Sequence, residues 1–63
     1  MDRLFTITDV CQRYGVSKWT VYQWTMRNYI PHLKIGGQLR FRFKDLEQWE
    51  EQNLVEAGKT DLL

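Results

Sequence analysis

The chain of 63 residues has one cysteine, one proline and one histidine. No apolar run approaches the roughly 20 residues that cross a bilayer. A lone Cys11 forms no internal disulfide and has no CxxC partner for zinc, so disulfide and metal frameworks are excluded. Cys11 reads instead as a small core residue where two helices approach closely. His32 follows Pro31 with no Ser, Cys or acid placed beside it as a partner, and Gly36-Gly37 does not precede a helix as a phosphate loop would. An enzyme is therefore not expected, and neither is a cofactor or a small-molecule ligand. With no charged-then-apolar leader, a soluble, cytoplasmic protein is expected. Acidic residues are scarce over most of the chain: only Asp2 and Asp9 occur before Asp45.

That scarcity divides the molecule. Residues 1–44 carry eight Lys and Arg and a net charge of +6, whereas residues 45–63 carry −5, so the overall +1 conceals a basic body and an acidic tail. Such asymmetry fits a nucleic-acid face, although a helix with a solvated acidic side accounts for the tail equally well. A domain this small needs a few large side chains for its core, and Phe5, Tyr14, Trp24, Ile30, Phe41, Phe43 and Trp49 are the candidates. One domain over 1–63 is expected, ordered over about 4–55 and frayed at 58–63.

The first helix is expected from Ile7 to Tyr14. Thr6 and Asp9 form a capping-box pattern, and Phe5 with Val10 forms a hydrophobic staple. Val10, Cys11 and Tyr14 share its inward face. Gly15 ends it, since glycine alone enters the left-handed region without penalty. Ser17 then caps a second helix, with Val16 and Val21 as its staple. Two capped helices separated by a glycine turn make a helix-turn-helix.

The second helix, within GVSKWTVYQWTMRNYIP, contains no acid. At about 100° per residue, Val21, Trp24, Thr25 and Asn28 fall in one sector. Trp19 and Gln23 point almost opposite, flanked by Thr20, Tyr22, Met26 and Arg27, with Lys18 at the edge of the first turn. Cations, hydroxyls, an amide and aromatic rings are the groups that contact phosphates and base edges. For Trp19, packing against a neighbouring element and contact with a base or sugar stay open.

Asn28-Tyr29 closes this helix, and Ile30-Pro31 imposes extended backbone. A two-stranded hairpin follows, turning at Gly36-Gly37. By alternation, Leu33, Ile35, Leu39, Phe41 and Phe43 are expected on one face, and Lys34, Gln38, Arg40 and Arg42 on the other. Packing of the apolar underside on the helices would present the basic side as a wing; cations that merely keep an edge strand soluble are the competing reading. Lys44 and Asp45 open a third helix with Leu46 and Trp49 inward, and its pattern extends weakly through Leu54 and Val55 to Gly58. The fold class is thus α+β, mainly α: a winged helix-turn-helix made of a two-helix unit, a hairpin wing and a closing helix.

FTITDV, GVSKWTVYQW, IPHLKIGGQLRFR and KDLEQW occur in this order over about residues 4–52. Together they resemble the excisionase-type DNA-binding domains, small winged-helix relatives of the mercury-resistance-type regulators. The resemblance implies a recognition helix in the major groove and a wing against the backbone or minor groove. It favours Ser17, Lys18, Thr20, Tyr22 and Gln23 on the helix, and Lys34, Gln38, Arg40 and Arg42 on the wing. Trp19, Arg27 and Gly37 complete the candidate interface from the helical and hairpin patterns. The family often has Arg where Gln23 stands and Gly where Asn28 stands, so its base preference does not carry over; Gln23 favours adenine by amide geometry. The implied partners are double-stranded DNA, adjacent copies of the chain and a site-specific recombinase (an integrase), with a bacterial, phage or mobile-element origin. A small transcriptional regulator uses the same face, and a winged protein-interaction module without DNA binding is the more distant reading.

Overall fold

A computed structural model describes residues 3–55. Five elements follow in order: α1 (Ile7–Tyr14), α2 (Lys18–Met26), β1 (Leu33–Ile35), β2 (Gln38–Arg40) and α3 (Phe43–Gln52). This is the expected winged helix-turn-helix, three helices with an antiparallel hairpin between the second and third. The expected frayed tail at 58–63 lies outside the described residues.

Each boundary has a local cause. The capping box of α1 is complete: the Asp9 amide donates to Thr6 Oγ1 at 3.2 Å, and the Thr6 amide donates to Asp9 Oδ2 at 2.9 Å. Gly15 stops the helix in the left-handed region at φ 65°, and the Val16 amide reaches back to the Cys11 carbonyl at 3.1 Å. Ser17 caps α2 through the Thr20 amide. At its far end Asn28 takes φ 53°, the role glycine usually fills. The Tyr29 amide bonds to the Trp24 carbonyl at 2.8 Å and the Asn28 amide to that of Thr25 at 3.0 Å, a Schellman closure. Its apolar contact is present too, with the Trp24 and Tyr29 rings 5.9 Å apart. Asn28 therefore turns the chain and is exposed, whereas the helical angle placed it inward.

The fully buried core is Val10, Val21, Ile30, Phe41 and Leu46. Phe5, Tyr14, Trp24 and Trp49 pack around it half-buried, because so small a chain cannot enclose rings of that size. Tyr14, Trp24, Tyr29 and Trp49 form a ring cluster with centroids 5.4–6.3 Å apart, tying α1, α2 and α3 together. Phe43 departs from expectation. It belongs to α3 rather than to the hairpin, is exposed, stacks on Phe5 at 6.0 Å and lies under the Arg13 guanidinium at 5.2 Å. Helix α3 also stops at Gln52 rather than running toward Gly58. Asn53 closes it, donating from Nδ2 to the Trp49 carbonyl and accepting the Tyr29 hydroxyl.

The hairpin corrects the expected faces. Its register pairs Leu33 with Arg40, Lys34 with Leu39 and Ile35 with Gln38. Directly opposed residues share a face, and a two-residue loop pairs odd-numbered positions with even ones. Leu33 and Ile35 thus lie with Gln38 and Arg40, and Lys34 lies with Leu39. Counting parity straight through the Gly36-Gly37 turn, where both residues have positive φ, produced the wrong division. Only Leu39 and Phe41 anchor the hairpin base on the core, and Ile35 near the tip is 54% exposed. Phe41 also pairs with Phe5 in a bridge of two backbone hydrogen bonds, 2.8 and 2.9 Å, so the lead-in to α1 braces the wing.

Candidate nucleic-acid interface

An open groove of about 740 Å³ runs between α2 and the hairpin. Tyr22, Thr25 and Met26 line it from α2; His32, Lys34, Gly37, Gln38, Leu39 and Arg40 line it from the wing; Thr6, Ile7 and Thr8 close one end. Among the described residues no carboxylate lines it. The fold sets these side chains by two anchors: buried Val21 and Thr25 hold α2, and Leu39 and Phe41 hold the wing base. Thr25 is satisfied internally, its hydroxyl donating to the Tyr22 carbonyl at 2.8 Å.

The candidate residues separate by what already occupies them. Ser17 and Thr20 bond to each other through their hydroxyls at 3.1 Å, so both are committed to the first turn of α2. Lys18, Tyr22 and Arg27 are exposed, Gln23 is half-buried, and their side chains have no hydrogen-bond partner among the described residues. Trp19 is 69% exposed and, among the described residues, belongs neither to the core and its packed neighbours nor to the aromatic pairs. On the wing, Lys34 faces the groove beside Leu39. Arg40 lies along its own strand, donating to the Leu39 carbonyl at 2.7 Å and to Gln38 Oε1 at 2.8 Å. Arg42 sits past the end of β2 at the N-cap of α3, where its Nε donates to Asp45 Oδ2 at 2.9 Å.

Ion pairing sorts the cations by location. Among the described residues, Arg3, Arg13 and Arg42 each pair with an acid: Asp9, Glu50 and Asp45 respectively. Lys18, Arg27, Lys34 and Arg40, on α2 and the wing, pair with none, and neither does Lys44 on α3. A separate polar cluster joins α1 to α3. Glu50 Oε2 accepts Arg13 Nε and the Tyr14 hydroxyl, both at 2.6 Å. The Arg13 hydrogen bond, then that of Tyr14, hold the Glu50 carboxyl below its ordinary value of 4.5. Burial, with the adjoining carboxylate, pushes the Tyr14 hydroxyl up to about 12. This cluster ties α1 to α3 and is remote in role from the groove.

Met26 and His32 enter the site without having been singled out from the sequence. Met26 is seven residues from Trp19 and so lies on the same side of α2, a spacing that is legible in the sequence. His32 Nδ1 donates to the Ile30 carbonyl at 2.8 Å, a contact no local pattern announces. Among the described residues no His, Cys, Asp and Glu cluster is arranged to hold a metal, and no helix is long and apolar enough to cross a membrane.

Comparison with known families gives a match to a helix-turn-helix domain over residues 4–54. No curated protein and no solved structure matches the chain. The match covers α1, α2, the wing and α3, and a domain of this kind implies DNA as its partner. By its two capped helices, its intervening glycine turn and this match, the chain belongs to the helix-turn-helix domain family.

Proposed function

We propose that the chain is a sequence-specific DNA-binding protein of the excisionase type. In this reading α2 enters the major groove and the wing lies over the adjacent backbone. Several copies bind neighbouring sites, and the bent DNA directs a site-specific recombinase. The carrying observation is the clustering of cations without acidic partners. Among the described residues Lys18, Arg27, Lys34 and Arg40 on α2 and the wing have none, whereas Arg3, Arg13 and Arg42 are each paired and Lys44 on α3 is the one unpaired cation elsewhere. Unpaired cations beside a groove that no carboxylate lines among the described residues are what a phosphate backbone requires. The excisionase assignment rests on the sequence resemblance over about residues 4–52.

The reader residues on this view are Trp19, Tyr22 and Gln23, with Thr20 and Ser17 holding the first turn. Lys18, Arg27, Lys34 and Arg40 contact phosphates, Gly37 lets the wing tip approach the backbone closely, and Gln38 and Arg42 flank it. A single module buries only roughly 600–1,000 Å² on DNA, so binding side by side supplies the remaining affinity. Titrating the full chain against duplex DNA at increasing salt tests the reading. Four phosphate contacts give a slope of log affinity against log salt of roughly −3.6. Absence of binding near 50 mM salt, roughly the low end of the usual range, would overturn it.

A further inference from the structure

The outer face of α2 carries a feature that phosphate contact does not use. Trp19, Tyr22 and Met26 are 69%, 46% and 74% exposed, and their spacing of three and four residues sets them in one stripe. Gln23 lies within the stripe, one turn from Trp19, with no side-chain hydrogen-bond partner among the described residues. Lys18 and Arg27 flank it, one at each end of the helix, and no cation occupies a position inside it. Exposed apolar side chains on so small a domain mark a surface that meets something. The flanking cations, and a groove that Tyr22 and Met26 themselves line with no acid among the described residues, match the charge of a DNA backbone.

Building on the DNA-binding reading above, we infer that this stripe reads thymine methyl groups, making the domain selective for A·T-rich major groove. Guanine is recognised through Arg or Lys donors to its O6 and N7, and the stripe contains neither. Thymine alone presents a methyl group in the major groove, and apolar side chains contact it. The Gln23 amide matches the N6 and N7 of adenine, the partner of that thymine. Trp19 and Met26 are seven residues apart, about 10 Å along the helix. That length spans about three base-pair steps, so the preferred element is a run of about three to four A·T pairs.

The test uses the full chain and duplexes selected by it from a randomised pool. Selected duplexes are expected to share a short A·T run. Replacing thymine by uracil in that run removes the methyl group and nothing else, and should weaken binding roughly four-fold per contacted methyl. Met26→Ala and Trp19→Ala should each weaken binding to the thymine duplex and reduce the difference between thymine and uracil, with the salt slope unchanged. Both side chains are exposed, so melting curves of the two variants should match that of the parent. Selection of G·C runs, equal binding to thymine and uracil duplexes, or variants that weaken both duplexes alike would overturn the inference and leave DNA binding standing. Self-association lost in Met26→Ala, with DNA affinity unchanged, would assign the stripe to a second copy and also overturn it. No binding to any duplex would remove the DNA-binding reading itself.

Discussion

Leu33 stands directly opposite Arg40 in the hairpin ladder, so an aliphatic and a cationic side chain share one face of the wing. The wing is therefore not a two-sided ribbon with an apolar floor and a basic roof. It is a short arm held at its base by Leu39 and Phe41, with mixed faces toward its tip.

This register predicts opposite outcomes for two aliphatic positions on the hairpin. Ile35→Thr should change stability by less than about 0.5 kcal/mol, because the side chain is exposed and threonine suits a strand. Leu39→Ala should cost about 2 kcal/mol, since Leu39 packs against the buried cluster. Urea denaturation of both variants checks the pair; equal losses would favour the register in which both residues face inward.

The division between a residue that reads and a residue that positions predicts two different DNA-binding phenotypes. Gln23→Ala should alter sequence preference by roughly 1–3 kcal/mol at one base pair. Arg40→Ala should weaken binding across all sequences and lower the salt slope by roughly 1. Gel-shift titrations on a long fragment from the gene's own neighbourhood, repeated at several salt concentrations, separate the two. Identical behaviour would remove the division.

Asn28 predicts a backbone effect. It holds φ 53° with its side chain exposed, a conformation that costs most residues about 1 kcal/mol or more. Asn28→Gly should preserve or slightly raise the melting temperature, and Asn28→Ala should destabilise by about 1 kcal/mol. Thermal melts of the two variants side by side give the comparison.

The clamp of Arg13, Tyr14 and Glu50 predicts a pH dependence at both ends of the scale. The folded Glu50 carboxyl titrates below its ordinary value of 4.5, so the unfolded chain takes up the proton first. Stability contributed by the clamp is present above about that pH and is lost as pH falls through the lower folded value. For Tyr14 the sign reverses. Its hydroxyl is raised from 10.0 to about 12, so its contribution is intact below pH 10 and is lost as pH rises toward 12. Glu50→Gln should cost about 1 kcal/mol at neutral pH, a modest figure because the pair is partly exposed. It should also flatten the acid limb that Glu50 contributes, as followed by denaturant midpoints across pH.

A truncation tests side-by-side binding. If the acidic segment contacts the basic face of a neighbouring copy, deleting residues 54–63 should reduce cooperativity on a multi-site fragment. Single-site affinity should stay unchanged. Stepwise gel shifts on one-site and multi-site duplexes supply the measure, and unchanged cooperativity would remove residues 54–63 from the assembly.

The helices and their ends were legible because their causes are local. A threonine with an aspartate three residues on, a glycine, a serine and a proline each act within one turn of themselves. The absence of acids from α2 was equally plain. Long-range placement was not. The bridge between Phe5 and Phe41 joins segments 36 residues apart, and nothing near either residue announces it. The pairing of Arg13 with Glu50 removes a cation that composition had credited to the basic body. The faces of the hairpin turned on whether its loop holds an even number of residues, which reverses every assignment in one strand.

For the acid-free stretch from Gly15 to Pro31, the sequence by itself determined a capped helix with an inner side and an acid-free outer side. That follows from chemistry within a few bonds of each residue. Only the tertiary structure decided which cations stay unpaired, that Trp19 stands away from the core, and that Met26 faces the wing across an open groove. Those outcomes depend on which distant surfaces meet, and burial and ion pairing are settled by that meeting rather than by neighbours along the chain.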